Sequence, residues 1–395
     1  MNCRHCGNEL KHELVDLGLH PHSNAFGPKD QSLTQYPLVV MVCDKCFLTQ
    51  CLDVGYDEKD IFGQKYPYKS GQNKAWVEHC DNLAKKLIKG CYVDRFSRII
   101  EIGSNDGCGL SYLQSQGYNA LGIDPSGTDN NEYSVPTISD FYGTATVIEY
   151  KLINLDVIIC RNTLAQIPDI NNFFKAINLS LKDEGVLIME VPSLMNLINE
   201  CQFDTIYHEH YFYFSLISLS HILRSHGLRF RYVEKIRTHG GSYRVWIEKG
   251  DTDFDIESDI LSEEIAYGMA DLRTYQGFQK EVNAVKNHFL SWLILNQDKN
   301  IIAYGAAAKG NTFLNFAGAG SDLLKLIVDF TPEKQGTFAP GSRIPVVDED
   351  TIRSLKPTRI IILPWNWKDA IVERLSYVRE WGCKFITFIP EYHEA

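Results

Sequence analysis

Short apolar runs of strand length alternate with amphipathic stretches along most of the chain, and the clearest instance is Arg98 to Asp124. Ile99, Ile100 and Ile102 predict a short buried strand, Gly103 to Gly109 a tight glycine-bearing turn, Leu110 to Gln116 the start of a helix, and Ala120 to Ile123 a second strand. The alternation continues through Val135 to Ile138, Leu155 to Cys160 and Val186 to Val191, with helical stretches between. Five such strands predict a parallel, doubly wound sheet that binds its ligands beyond the carboxyl ends of the strands. Leu228 to Glu234 and Ser242 to Glu248, flanking Thr238 to Gly241, predict a hairpin at the sheet edge. The acidic stretch Asp251 to Asp259 marks a boundary, and Ile260 to Leu295 is helical by pattern. Four further buried-strand candidates, Ile301 to Tyr304, Leu326 to Asp329, Arg359 to Leu363 and Lys384 to Phe388, predict a second α/β unit. Before the first sheet, Leu14 to Leu17 and Tyr36 to Val42 alternate as in a small β-rich module. The polar, turn-rich stretch from Asp57 to Gly71 then leads into a helix from Gln72 to Lys89.

Length changes this picture by requiring division, since 395 residues exceed one ordinary core. A formal net charge of −11 without a long basic run argues against nucleic acid as a partner. No apolar stretch spans a bilayer and the polar N-terminus lacks a signal-peptide core, so no membrane partner and a cytoplasmic location are expected. A monomer is the oligomeric expectation. Eleven cysteines in such a chain read as thiols or metal ligands. Cys3, Cys6, Cys43 and Cys46 form two CxxC pairs, and two such turns brought together give a tetrahedral four-sulfur zinc site. A redox CxxC is disfavoured by the two copies and by the lack of a βαβ context. With all four ligands used for closure, the zinc is expected to be structural and to replace a core too small to hold itself together.

The glycine turn raises the question of which nucleotide it serves. A dinucleotide site wants GxGxxG for an anionic pyrophosphate, whereas Asp106 would repel one. Glu101 and Asp106 suit a ligand with no phosphate and positive charge, which describes S-adenosylmethionine (SAM). Glu101, Gly103 and Asn105 are assigned to its methionine end and Asp124, closing the second strand, to its ribose. Asp140 and Phe141 after the third strand are placed for the adenine, and Asn162 after the fourth shares the cleft; loop solvation or core packing is the alternative for these. Tyr66 and Tyr68 flank Pro67 in an extended segment and aim alike, toward a ligand or a domain boundary. Tyr207, His208, Glu209 and His210 are consecutive. If extended, Tyr207 and Glu209 share one side and His208 and His210 the other; in a turn, Tyr207 and His210 meet. Acid/base catalysis, a buried polar cluster and metal binding are the three readings. His239 lies beside two glycines and either reaches the cleft or sits in a turn. The turn Gly305 to Thr312 nearly spells a P-loop, but Asn311 stands where the lysine belongs. A small-residue loop can still cradle a diphosphate with Lys309 or Arg343 adding charge, or be a purely structural turn.

Taken together, the paired CxxC with LGLHPHSNAF, then YPYKSG, EIGSNDG, YHEHYFYFS, HGGSYRV, YGAAAKGNTFLN and IPVV resemble the three-domain, zinc-containing sugar C-methyltransferases of deoxysugar biosynthesis. The resemblance covers nearly the whole chain. It implies an α/β protein with a zinc-binding module at 1–65, a SAM-dependent methyltransferase domain at 66–255 with a doubly wound, Rossmann-like sheet, and a C-terminal Rossmann-like domain at 256–395 enclosing a sugar nucleotide. The implied reaction methylates C3 of a nucleotide-linked 4-keto-6-deoxy sugar. His210 is then the base, Tyr207 and Glu209 stand near the sugar, and Tyr66 or Tyr68 closes the site. His208, His239, Lys309 and Asn311 are counted with the substrate. Gln166 stands where the family pattern has a histidine and cannot take up a proton. The rival readings are an O- or N-methyltransferase and a non-catalytic, zinc-stabilised binding protein.

Overall fold

The computed structural model describes residues 1–55, 62, 69–127, 132–250 and 259–395; Tyr66 and Tyr68 lie outside them. The described residues build three sheets. The first begins with β1 (His12–His20), β2 (Tyr36–Val42) and β3 (Thr49–Cys51), paired antiparallel in that order. Its inward face is small, with Leu14, Val15, Leu17, Leu38 and Val40 buried.

The second sheet begins after helix α1 (Lys74–Lys89), whose first turn is capped by the Asn73 side chain accepting from the N–H groups of Ala75 and Trp76. Its parallel strands are β4 (Arg98–Ile102), β5 (Asn119–Ile123), β6 (Thr137–Ile138), β7 (Leu155–Arg161) and β8 (Leu181–Pro192), with helix α2 (Cys108–Ser115) following the glycine turn. The five parallel strands stand where the apolar runs predicted them.

A short strand β9 (Phe212–Tyr213) then leaves this unit and pairs with β3, completing the first sheet. Nothing in the local pattern announces that exchange. The N–H of Cys51 donates to the Tyr211 carbonyl at 2.9 Å, and the N–H of Tyr211 to the Ala165 carbonyl at 2.7 Å. The end of the YHEH block is thus tied by backbone to β3 and to the turn that follows β7.

β10 (Leu228–Ile236) and β11 (Ser242–Lys249) form the expected hairpin, but the order is β10-β11-β8-β7-β4-β5-β6, so the second strand of the hairpin is the inner one. Burial decides this. β11 buries Tyr243, Val245, Trp246 and Ile247, whereas β10 carries Arg229, Arg231, Tyr232 and Lys235, which suit an edge.

The stretch predicted as one helical segment forms two α-helices, Asp259–Tyr267 and Phe278–Leu295, separated by a connection that holds a short 3-10 turn at Leu272–Tyr275. The third sheet contains β12 (Ile301–Tyr304), β13 (Ile327–Val328), β14 (Val346–Val347), β15 (Arg359–Ile362), β16 (Lys384–Thr387) and β17 (His393–Glu394), in the order β14-β13-β12-β15-β16-β17. Helix α3 (Ala308–Ala317) follows β12. β14 and the antiparallel β17 are short additions at the two edges.

One continuous apolar core runs from Leu14 and Val40 through Ile102, Met189 and Phe214 to Phe313 and Ile386. A second covers the α1 face of the central sheet. Among the described residues, no helix is long and apolar enough to cross a membrane.

Candidate active site

The Sγ atoms of Cys3, Cys6, Cys43 and Cys46 all lie within 4.8 Å of one another, with Cys3 to Cys46 at 3.6 Å and Cys6 to Cys43 at 3.5 Å. Four thiolates at about 2.3 Å from one zinc stand about 3.8 Å apart, so the donor set fits the ion and leaves it no position for water.

At the carboxyl ends of the central strands, the glycine turn takes left-handed backbone at Gly103 (φ 71°), Asn105 (φ 50°) and Gly107 (φ 88°). Asp124 accepts from the N–H groups of Asn105 at 2.8 Å and Ser126 at 2.9 Å. A carboxylate has further lone pairs for ribose hydroxyls. Asn162, also left-handed at φ 51°, has both amide atoms buried and without a hydrogen-bond partner among the described residues, an unmatched donor and acceptor that suit a polar ligand. Asp140 is half-buried, accepting from the Phe141 N–H at 2.8 Å and the Thr146 hydroxyl at 3.0 Å. These positions fit SAM at the strand ends.

Two acids are turned to internal use. Asp106 accepts from the N–H groups of Gly71 at 2.7 Å and Cys108 at 3.2 Å. Glu101 accepts from Arg161 Nε at 2.9 Å beneath Gly109, where any Cβ would stand 2.0 Å from the guanidinium.

Glu101 opens a row of alternating charge across the sheet. Arg161 faces Glu190, Glu190 faces Arg244, and Arg244 faces Glu234 in strand register. Arg244 Nε donates to Glu190 at 2.7 Å, and His79 of α1 meets the other Glu190 oxygen at 2.7 Å. Burial pushes the Glu190 carboxyl up, but the His79 hydrogen bond and the charges of Arg244, His79 and Arg161 outweigh it and hold the group at about 2. His79 stacks on Trp76 with ring centroids 5.2 Å apart, and Trp76 meets His239 edge-on at 5.6 Å.

The YHEH block is a turn, closed by the His210 N–H donating to the Tyr207 carbonyl at 2.9 Å. Tyr207 and His210 therefore meet, their ring centroids 4.1 Å apart. Burial pushes the His210 imidazole down to about 3 against a hydrogen bond to the Thr205 carbonyl, and the charges of His239 and Lys309 add to the fall. His210 is neutral at physiological pH. Burial, with Lys309, likewise lowers His239 to about 4. Lys309, in the first turn of α3, donates to Asn366 at 2.7 Å and sits 4.6 Å over the Trp365 ring. The Trp365 indole N–H donates to buried Asp204 at 2.8 Å, whose carboxyl burial raises to about 6. Tyr207, His210, His239 and Lys309, drawn from three separate stretches, so share one electrostatic neighbourhood.

The remaining predicted residues make contacts of their own. His208 is buried against the first sheet, 3.1 Å from the Pro37 carbonyl and 6.0 Å from the rings of His22 and Tyr36. Asn311 is fully buried and donates to the Ser23 carbonyl at 2.7 Å. Arg343 donates to the Gln31 carbonyl. Glu209 accepts from the Asn24 amide at 2.7 Å.

Sequence reasoning missed His79, Glu190, Arg244, Asp204, Trp365 and Asn24. Asn24 and Arg244 lie inside the quoted stretches LGLHPHSNAF and HGGSYRV without having been singled out, and His79 follows Trp76 by three residues on a helix whose buried face also carries Cys80 and Leu83.

Residues 3–62 match a family described as a zinc binding domain, 74–233 a methyltransferase domain, and 237–390 the C-methyltransferase C-terminal domain. The chain is 30% identical to C-methyltransferase NovU of Streptomyces niveus over 404 residues, covering 98% of this chain and 95% of that protein. Among solved structures, the PH0226 protein of Pyrococcus horikoshii OT3 is 17% identical over 49% of this chain and all of its own, with a TM-score of 0.38. Magnesium protoporphyrin IX methyltransferase of Synechocystis PCC 6803, with SAM bound, is 11% identical over 51% of this chain and all of its own, with a TM-score of 0.36. At such scores the fold assignment rests on the observed strand order and on the matched domains.

Proposed function

Because the chain belongs to the zinc-containing, SAM-dependent C-methyltransferases, we propose that its acceptor is C3 of a nucleotide-linked 4-keto-6-deoxy sugar, methylated through an enolate. The observation that carries this reading is the His210 imidazole packed on Tyr207 with ring centroids 4.1 Å apart, beside the charge of Lys309. A carbon acid next to a ketone needs a base with a free lone pair and donors for the enolate oxygen, which O- or N-methylation of a nucleophilic acceptor does not. His210 takes the C3 proton. Its hydrogen bond to the Thr205 carbonyl fixes one ring nitrogen as donor and leaves the other as acceptor. Tyr207 offers a phenol to the substrate, Glu209 accepts from a sugar hydroxyl, and His239 and Lys309 supply the donors and positive charge that an enolate and a diphosphate require. Bound SAM supplies the electrophilic methyl group. Glu101, Gly103 and Asn105 are assigned to its methionine end, Asp124 to the ribose, and Asp140, Phe141 and Asn162 to the remainder of the cleft. In this reading residues 1–65 bind zinc, 66–255 carry the methyl donor and 256–395 enclose the sugar nucleotide.

The test incubates His210→Asn with the keto sugar in deuterium oxide and follows C3 by NMR. Exchange and methyl transfer should fall by about 10²–10⁴ while SAM affinity, read by calorimetry, is kept. Exchange at the parent rate would remove the base role from His210.

A further inference from the structure

The loop of the zinc module between β1 and β2 touches both halves of the proposed sugar site. Asn24 donates its amide to Glu209 at 2.7 Å, and one residue earlier the Ser23 carbonyl accepts from Asn311 on α3, two residues after Lys309. The loop continues into an isolated bridge with the segment that precedes β14, where the Phe338 N–H donates to the Gly27 carbonyl at 2.8 Å. We propose that Asn24 is a positioning residue of the active site, aiming the Glu209 carboxylate at the acceptor, so that the zinc module takes part in substrate alignment. This deepens the reading above and rests on it.

The YHEH block does not need Asn24 to stay in place. Its backbone is already pinned by the pairing of β9 with β3, by the Tyr211 bonds to Cys51 and Ala165, and by His208 against Pro37. The added bond from Asn24 acts on the carboxylate itself. Its chemistry is suited to that task. A lysine or arginine there would form an ion pair with Glu209, whereas a primary amide orients the oxygen without adding a charge of its own. Glu209 is buried, so a donor held at fixed geometry is also what keeps the group aligned before substrate arrives.

The test exchanges donor and acceptor. Asn24→Asp keeps the shape but sets two carboxylates together; combined with Glu209→Gln it restores the hydrogen bond with its polarity reversed. Asn24→Asp should lower kcat and C3 exchange by about 10- to 100-fold with SAM affinity and zinc content kept, the scale of a small misplacement of reacting groups. Its melting temperature should also fall. The double variant should regain the melting temperature of the parent but not kcat, since the carboxylate now stands on the wrong residue. Parent-like kcat in Asn24→Asp overturns the proposal, and so do melting temperatures that simply add in the double variant. If the parent itself shows no C3 exchange, the function reading fails separately, and the melting-temperature cycle still decides whether Asn24 controls residue 209.

Discussion

Single residues divide into those whose chemistry the sequence announces and those given meaning by a distant partner. Cys3, Cys6, Cys43 and Cys46 belong to the first group because zinc dictates their spacing. Asp124 belongs there too, being the acid that ends the strand after a glycine turn. Asp124→Ala should weaken SAM binding by about 1–3 kcal/mol in calorimetry, the cost of leaving buried hydroxyls unpaired, in addition to loosening the Asn105 N–H it holds. Glu190 is illegible alone: it reads as a charged residue at the end of a buried strand until His79, 111 residues earlier, and Arg244 are seen to enclose it. His208 shows the opposite limit, a histidine in the middle of a functional block that is spent on packing. Burial holds it at about 4, facing His22 and His20, while in the unfolded chain it titrates near 6.5. Between those values the unfolded state binds the proton that the folded state refuses, so stability falls as pH drops from 6.5 to 4, by about 3 kcal/mol for this residue alone. His208→Gln should make the fall of melting temperature over that range shallower.

Secondary-structure elements were legible where one period dominates. The five parallel strands of the central sheet and the strands β12, β13, β15 and β16 are apolar runs with helices between, and they form as read. Order within a sheet is less legible. β11 lies inside β10 because of which strand has more apolar surface to cover, and β9, two residues long, pairs far from its neighbours in sequence. The charge row from Glu101 to Glu234 is a cross-strand property that no single strand displays. Replacing one member strands the others in a buried setting. Glu190→Leu should therefore cost about 3–5 kcal/mol, read by denaturant unfolding, because it takes from Arg244 and His79 the buried carboxylate they share. A change near the cost of a surface substitution would mean that the row is hydrated and contributes little.

Across the whole molecule, the three sheets share one core, and the first of them is finished by a strand of the second unit. Zinc removal should therefore reach the active site. Cys43→Ser, which breaks the four-sulfur set, should lower the melting temperature and reduce C3 exchange before SAM affinity changes, as measured by NMR and calorimetry on one preparation. The same strand exchange also sets a schedule for synthesis on the ribosome. β3 is made early, yet its partner is about 160 residues away, as the contact of Cys51 with Tyr213 shows. At about 5–20 residues per second the nascent sheet waits roughly 8–30 s with one edge unpaired. A strand of only three residues keeps that edge short, and metal bound during translation would hold the waiting hairpin closed. Cells given zinc during expression should consequently yield more soluble protein than cells lysed without it and supplied with the metal afterwards.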